Sequence, residues 1–278
     1  MPPGDELNGK TDLKNHAAVK NPLVILPTYN EADNIASLLD ALLSLPRPVR
    51  VLVVDDASPD RTADRVQAHP RFNRSVFLLS RNSKQGLGTA YRAGFRWALE
   101  RGHDACIQMD ADWSHDPDTV PRLLSALEAG ADLALGSRYV SGGSIVNWPL
   151  RRLWLSRMGA LYSRFWTGIP QQDPTGGFKA IRKSVLASLE KAPLNYDGYG
   201  FQVGMLFNTV QSGYQITEVP IVFTERRNGR SKMSLAVVLE AILKIPLLRL
   251  QSFKPPFTGG VPLWSELRLR PALKDDCE

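Results

Sequence analysis

Asp110 and Asp112 stand one residue apart, with only the small Ala111 between them. They follow the apolar run Ala105–Met109, which reads as a buried strand. Both carboxylates therefore fall where a parallel sheet opens its binding crevice, just outside the carboxyl ends of its strands. Two hard oxygen donors so placed can turn toward one cation, and Ala111 leaves room for a ligand. Oxygen-only donors suit Mg2+ or Mn2+, and Mg2+ pairs one or two carboxylates with substrate phosphates. The chemistry on offer is a metal bridge to a diphosphate. The plainer alternative is an acidic turn that caps the helix beginning near Asp118. His115 is offset from the pair and reads as a capping or supporting residue, not a ligand.

The elements that must position this pair can be followed along the chain. Leu23–Pro27 reads as a first buried strand, and Ile35, Leu38, Leu39, Leu42 and Leu43 follow a helical period behind it. Arg50–Val54 is a β-branched second strand, with a short helix running through Val66 after it. Val76–Leu79 is a third strand, and the helix holding Tyr91, Phe95, Trp97 and Leu99 leads into the fourth. A helix over about 118–128 and a fifth strand, Leu133–Gly136, follow. Strands alternating with helices predict an α/β fold with a mostly parallel sheet and right-handed crossovers. Polar clusters then converge at four strand ends: Tyr29–Glu31, Asp55–Asp60, Asp110–Asp112 and Arg138. Lys84–Ala90, containing Gly86 and Gly88, opens a helix and reads either as a phosphate cradle or as a turn that needs glycine. It lacks both the dinucleotide fingerprint and the Walker lysine pattern.

The chain has 278 residues, enough for one large α/β domain, with 43% hydrophobic and 22% charged residues. Its formal charge of +6 fits an anionic ligand or an anionic membrane surface. No basic helix interleaved with aromatics and no zinc-finger spacing is present, which argues against nucleic acid as partner. Cys106 and Cys277, the only two cysteines, form no disulfide framework or zinc pattern, as expected for a cytoplasmic protein. Residues 1–20 are polar and read as a disordered lead-in without a signal peptide, and 253–278 as a polar tail.

Leu26-Pro27-Thr28-Tyr29-Asn30-Glu31, Val54-Asp55-Asp56-Ala57-Ser58-Pro59-Asp60 and Met109-Asp110-Ala111-Asp112 together resemble the inverting family 2 glycosyltransferases of the GT-A fold. Ser137-Arg138-Tyr139, Asp173-Pro174-Thr175-Gly176-Gly177-Phe178-Lys179 and Gly229-Arg230-Ser231-Lys232-Met233 narrow the resemblance to polyprenol-phosphate (dolichol-phosphate) mannosyltransferases. It covers roughly residues 23–250, and implies a GT-A (Rossmann-like) domain over 21–232. The implied reaction is inverting transfer of mannose from GDP-mannose to a polyprenyl monophosphate. By the same resemblance, Pro27, Tyr29, Glu31, Val54 and Asp56 hold the nucleoside, while Asp110, Ala111 and Asp112 carry the metal and the donor phosphates. Arg226 and Lys232 hold the donor diphosphate, and Arg138, Arg152 and Ser156 the acceptor phosphate. Ser114 stands where some relatives have Gln, so the resemblance carries over only Asp110 and Asp112 as metal ligands. Asp110, Asp112 and Arg138 are the residues on which catalysis is expected to rest, and Asp173 is a carboxylate suited to positioning an arginine or a sugar. A different sugar, such as glucose from a UDP donor, is the nearest alternative. A non-enzymatic binding protein and a dinucleotide oxidoreductase fit the motifs less well.

A lipid acceptor implies a membrane surface. Leu235–Leu250 is apolar but broken by Glu240, Lys244, Pro246 and Arg249, short of the roughly 20 clean apolar residues of a spanning helix. An interfacial amphipathic helix over 233–252 is expected instead, on a protein peripheral to the cytoplasmic face or held by a separate membrane-anchoring protein. Trp148, Trp154, Phe165 and Trp166 are either lipid-facing or packed in the core. Arg151, Arg152 and Arg157 form either a phosphate grip or the solvated face of a helix.

Overall fold

A computed structural model describes residues 17–191, 198–225 and 242–249. β1 (Pro22–Thr28), β2 (Arg50–Asp55), β3 (Val76–Ser80) and β4 (Ala105–Gln108) are joined through α1 (Ala32–Leu43), α2 (Thr62–Gln67) and α3 (Leu87–Glu100). A short 3-10 turn (Pro117–Thr119), α4 (Val120–Glu128), β5 (Leu133–Ser137), β6 (Ser144–Val146) and α5 (Leu150–Thr167) follow. Then come β7 (Lys179–Arg182), α6 (Lys183–Glu190), α7 (Gly198–Gln211), β8 (Ile216–Pro220) and β9 (Val222–Thr224). The main sheet has seven strands in the order β3-β2-β1-β4-β7-β5-β8, and β6 pairs with β9 separately.

β1, β2, β3 and β4 are mutually parallel, as are β5 and β8, while β7 runs antiparallel between β4 and β5. The order reverses at β1: its own crossover leads out to β2, and the chain returns on the other side as β4. Their carboxyl ends therefore bound the crevice in which such sheets bind ligands. Nearly continuous apolar strands such as Leu23–Leu26 and Val51–Val54 are fully buried because helices cover both faces. On one face Ile35, Leu38, Leu39 and Leu42 of α1 and Leu123, Leu124 and Leu127 of α4 pack against Val24, Leu26, Val51 and Val53. On the other, Tyr91, Phe95 and Ala98 of α3 join Val185, Leu186 and Leu189 of α6 and Phe201, Met205 and Leu206 of α7.

The five strands expected from the sequence are present within a residue or two of their anticipated limits. β7, β8 and the β6–β9 pair were not anticipated, and the antiparallel β7 splits what was read as a run of parallel strands. Of the lead-in expected over 1–20, only the end is described, and there Val19 is buried in the core. Its N–H donates to Glu128 at 2.9 Å, and the N–H groups of Lys20 and Asn21 reach Asp104. Folded structure thus reaches back to this point. Of the helix expected over 233–252 only 242–249 is described; it is helical, with Ile245 and Leu248 buried against α3, α6 and α7 and with Leu243 exposed. The tail over 253–278 lies outside the described residues.

Candidate active site

Each strand that feeds the crevice ends in a turn that a side chain holds shut. Thr28 at the end of β1 donates its hydroxyl to Asp55 Oδ1 at 2.8 Å, and Ser58 donates to the same oxygen at 2.5 Å. Asp56 N–H returns to Thr28 O at 3.0 Å, so the ends of β1 and β2 are locked side by side. Pro27 and Val54 are register partners across them. Asn30 and Ala57, just beyond these strand ends, and Trp113, beyond β4, all have left-handed φ, between 53° and 63°. Chain reversal of that sharpness in non-glycine residues is strained and recurs where a site must be held open.

On the β1–β2 side, Glu31 is buried, accepts from Asn34 Nδ2 at 2.9 Å and donates its N–H to Thr62 Oγ1 at 3.0 Å. Asp60 links two helices. It accepts from the N–H of Ala32 at 2.9 Å, opening α1, and from Thr62 N–H and hydroxyl, opening α2. Burial alone would raise the Asp60 pKa, but those hydrogen bonds, led by the Thr62 hydroxyl, outweigh it and lower it. Asp56 is gripped by Arg81, whose Nε donates at 2.5 Å, and by Gln85 N–H at 3.1 Å. Arg81 also donates to Thr89 Oγ1 and Gly86 O, so the Lys84–Ala90 loop is tied to Asp56 as a turn, with Gly86 at φ 98°. Lys84 Nζ lies 4.3 Å from the centre of the Tyr29 ring. Arg81 had no signal in the sequence: it lies 25 residues from Asp56 in no motif.

On the β4 side, Asp112 is buried and its Oδ1 accepts from Ser114 N–H at 3.1 Å and Ser114 hydroxyl at 2.6 Å. Ser114 therefore orients Asp112. His115 Nδ1 accepts the N–H of Asp110 at 3.1 Å, which leaves the ring proton on Nε2. Burial pushes the His115 pKa down to about 4, against a smaller upward pull from Asp112, so the ring is neutral at pH 7. It is stacked on Phe178 at 4.7 Å and meets the edge of Phe223 at 5.4 Å. Tyr91 donates to Met109 O at 3.2 Å and reaches Asp110 Oδ1 at 3.5 Å. Among the described residues no three His, Cys, Asp or Glu side chains gather to cage an ion. A pair of carboxylates at a crevice instead fits a hard divalent cation that completes its shell with substrate oxygens and water.

Beyond β5 the chain makes a second, basic wall. Arg138 is buried and forks onto Asp173, with Nε to Oδ2 at 2.7 Å and Nη2 to Oδ1 at 2.6 Å. Its N–H meets the same carboxylate at 3.0 Å, and Nη2 also reaches Thr175 at 3.1 Å. Burial works to raise the Asp173 pKa, but the Arg138 charge and its hydrogen bonds prevail and hold it below the usual 3.8. The Arg138 guanidinium lies 5.2–5.8 Å from the rings of Tyr139, Trp148 and Phe223. Arg152, on α5, stacks on Trp148 at 4.0 Å and forms an ion pair with Glu225. Ser156 accepts from the Tyr139 hydroxyl at 2.7 Å. Arg138, Arg152 and Ser156 thus come together around Trp148 and Tyr139. Arg226 and Lys232 lie outside the described residues.

Beneath Asp110 sits a buried lysine that the sequence marked only as part of a motif. Lys179, fully buried, donates to Gly176 O and to Gln202 Oε1, the latter at 2.5 Å. Burial depresses its pKa to about 7 despite the attraction of Asp173 and Asp110. Gln202, from α7, was not singled out from the sequence either.

A mostly parallel sheet that switches direction at β1, with helices on both faces, is the α/β architecture of the GT-A class. The family model for glycosyl transferase family 2 matches residues 23–189. Undecaprenyl-phosphate mannosyltransferase of Micrococcus luteus is 47% identical over 223 residues, covering 80% of this chain and 91% of the relative. Polyprenol monophosphomannose synthase of Mycolicibacterium smegmatis is 46% identical over 227 residues, covering 80% and 84%. The chain belongs to glycosyltransferase family 2, among its polyprenol-phosphate mannosyltransferases. The fold is shared with glucosyl-3-phosphoglycerate synthase of Mycobacterium tuberculosis, solved with Mn2+, UDP and glucosyl-3-phosphoglycerate. That match has a TM-score of 0.62 at 22% identity, over 93% of this chain and 88% of that one.

Proposed function

We propose that the protein transfers mannose from GDP-mannose to a polyprenyl monophosphate, with inversion at the sugar carbon. The observation that carries this reading is the position of Asp110 and Asp112 just past the carboxyl end of β4, beside β1, in a sheet whose β5 leads directly to the buried Arg138–Asp173 pair. The names of the relatives in Micrococcus luteus and Mycolicibacterium smegmatis supply the sugar and the lipid class. Pro27, Tyr29, Glu31, Val54 and Asp56 are assigned to the nucleoside, Val54 through its backbone alone because its side chain is sealed in the core. Asp110 and Asp112 would hold Mg2+ or Mn2+, which supplies Lewis-acid neutralisation of the leaving diphosphate. Arg226 and Lys232 are assigned to that diphosphate as well.

The acceptor phosphate is ionised near neutral pH, so its oxygen attacks the sugar carbon while the bond to GDP breaks, and no side chain must remove a proton. Catalysis is then orientation and charge stabilisation. Arg138, its plane set by Asp173, provides fixed positive charge, and Arg152 and Ser156 meet the acceptor. The lipid is taken at a membrane surface, which we place at the cytoplasmic face, with or without a separate anchoring protein. Among the described residues no helix is long and apolar enough to cross a membrane.

The test is incubation of purified protein and Mn2+ with polyprenyl phosphate and a panel of GDP- and UDP-hexoses, followed by mass analysis of the lipid. Mannolipid from GDP-mannose alone is expected. Product only from UDP-glucose, or none from any member of the panel, defeats the reading.

A further inference from the structure

Lys179 and Gln202 are buried polar groups to which the mechanism above gives no task. A buried ammonium has only donors, so the Gln202 atom that meets Lys179 Nζ at 2.5 Å must be its carbonyl oxygen. The other face of the amide, the Nε2 group with two N–H donors, is then turned away from the lysine by chemistry alone. Gly177 fixes where it is turned. The point a side chain would occupy on Gly177 lies 3.6 Å from Gln202 Nε2, 3.8 Å from His115 Cε1 and 3.9 Å from Asp110 Oδ2. A methyl group there would make ordinary contacts and would sit over the amide; glycine leaves the place open. No hydrogen bond to Gln202 Nε2 is formed among the described residues, and the residue keeps 4% of its surface exposed. A donor that faces this opening with no acceptor among the described residues is placed to meet a ligand oxygen in exchange for water.

The neighbourhood says what that ligand atom is. A donor diphosphate bound at Asp110 and Asp112 carries its hexose one bond beyond the distal phosphate, and a hexose offers hydroxyl oxygens. We propose that Gln202, held in one orientation by Lys179, donates a hydrogen bond to a hydroxyl of the donor hexose and so sets sugar specificity. The inference rests on the reading of Asp110 and Asp112 as the diphosphate site. Lys179 acts through Gln202 and is a positioning residue.

The experiment is a substrate–enzyme cycle, run with whichever nucleotide hexose the wild-type enzyme turns over and with its singly deoxygenated analogues. In wild type, one analogue loses about 10- to 100-fold in kcat/KM, since a site built to hydrogen-bond a hydroxyl rejects the sugar that lacks it. Gln202→Met loses a similar factor on the parent sugar and loses no more on that analogue. Its affinity for the nucleoside diphosphate stays within about twofold of wild type. If every analogue falls by the same factor in Gln202→Met as in wild type, or if nucleoside diphosphate binding falls with the sugar's, the inference is overturned. Should Gln202→Met fail to fold, Gly177→Ala, whose methyl covers the amide, is put through the same cycle and the same two outcomes decide. Failure of wild type on GDP-mannose counts against the donor assignment and leaves the cycle to be run with the true donor.

Discussion

At the scale of single residues, the site rests on charges removed from water and then answered. Arg138 and Asp173 show this most fully, because each is buried and each is the other's partner. Removing one member of such a pair leaves an uncompensated charge, at a cost of about 3–5 kcal/mol. Asp173→Ala is therefore expected to lose about that much stability at pH 7, and Arg138→Ala/Asp173→Ala less than the sum of the two single changes. The folded pKa of Asp173 lies below the usual 3.8, so the stabilisation is complete above that value and is lost as pH falls through the lower folded one. Urea unfolding from pH 8 to 3 checks this: a gap between wild type and Asp173→Ala that shrinks already at pH 6 would contradict it. The acidic pair Asp110–Asp112 was legible because it follows an apolar strand, and the carboxylate Asp173 because it opens a short motif, here the loop before β7. Arg81, Lys179 and Gln202 were not. Asp56 lies 25 residues from Arg81 and Gln202 lies 23 from Lys179, and a lysine or glutamine carries no local sign that it will be enclosed.

At the scale of elements, the apolar strands declared themselves and the short ones did not. β1, β2 and β5 are unbroken apolar runs because both faces are covered, and such runs stand out from their surroundings. β7 is four residues long, begins with Lys179, ends with Arg182 and passes straight into α6 without a turn signal. Its antiparallel place between β4 and β5 is set by pairing across the sheet, to which local pattern is blind. β6 and β9 have three residues each and little burial. Yet β9 matters to the site, because Thr224 reaches the Trp113 and Ser114 carbonyls and Phe223 backs His115. Gly143, entering β6, passes so close to the end of β5 that a Cβ would lie 2.7 Å from Ser137 O and 2.9 Å from Arg138 O. Those are backbone atoms, which cannot give way without moving Arg138. Gly143→Ala is expected to cost about 1–3 kcal/mol and to lower Tm by about 5 °C. Loss of turnover should accompany it. An unchanged melting curve would show that β6 is looser than this packing implies.

At the scale of the whole molecule, one surface departs from the ordinary. Leu150, Trp154, Met158, Leu161 and Phe165 recur at three- and four-residue steps along α5 and are all exposed, Trp154 at 67% and Phe165 at 74%. Beside them the Tyr162 hydroxyl donates to Ile242 O at 2.6 Å, which brings the exposed Leu243 and Leu247 into the same region. Arg151, Arg152, Arg157 and Arg164 lie on the same helix. The aromatics weighed as either lipid-facing or core thus divide, with Trp154 and Phe165 outside and Trp148 packed edge-on to Phe223. Apolar side chains flanked by arginines match an anionic bilayer surface: burying each large side chain gains about 1.5–3 kcal/mol, and each basic residue near such a surface adds about 1. The protein is expected to float with anionic vesicles reversibly, less so as salt rises. Replacing Trp154, Met158 and Phe165 together with serine should reduce flotation at least about tenfold. Because none of these three side chains is assigned to the donor, binding of soluble GDP should be unaltered in the same variant. Undiminished flotation of the triple variant would mean that this helix face does not meet the membrane, and that the lipid phosphate reaches Arg138 and Arg152 from another direction.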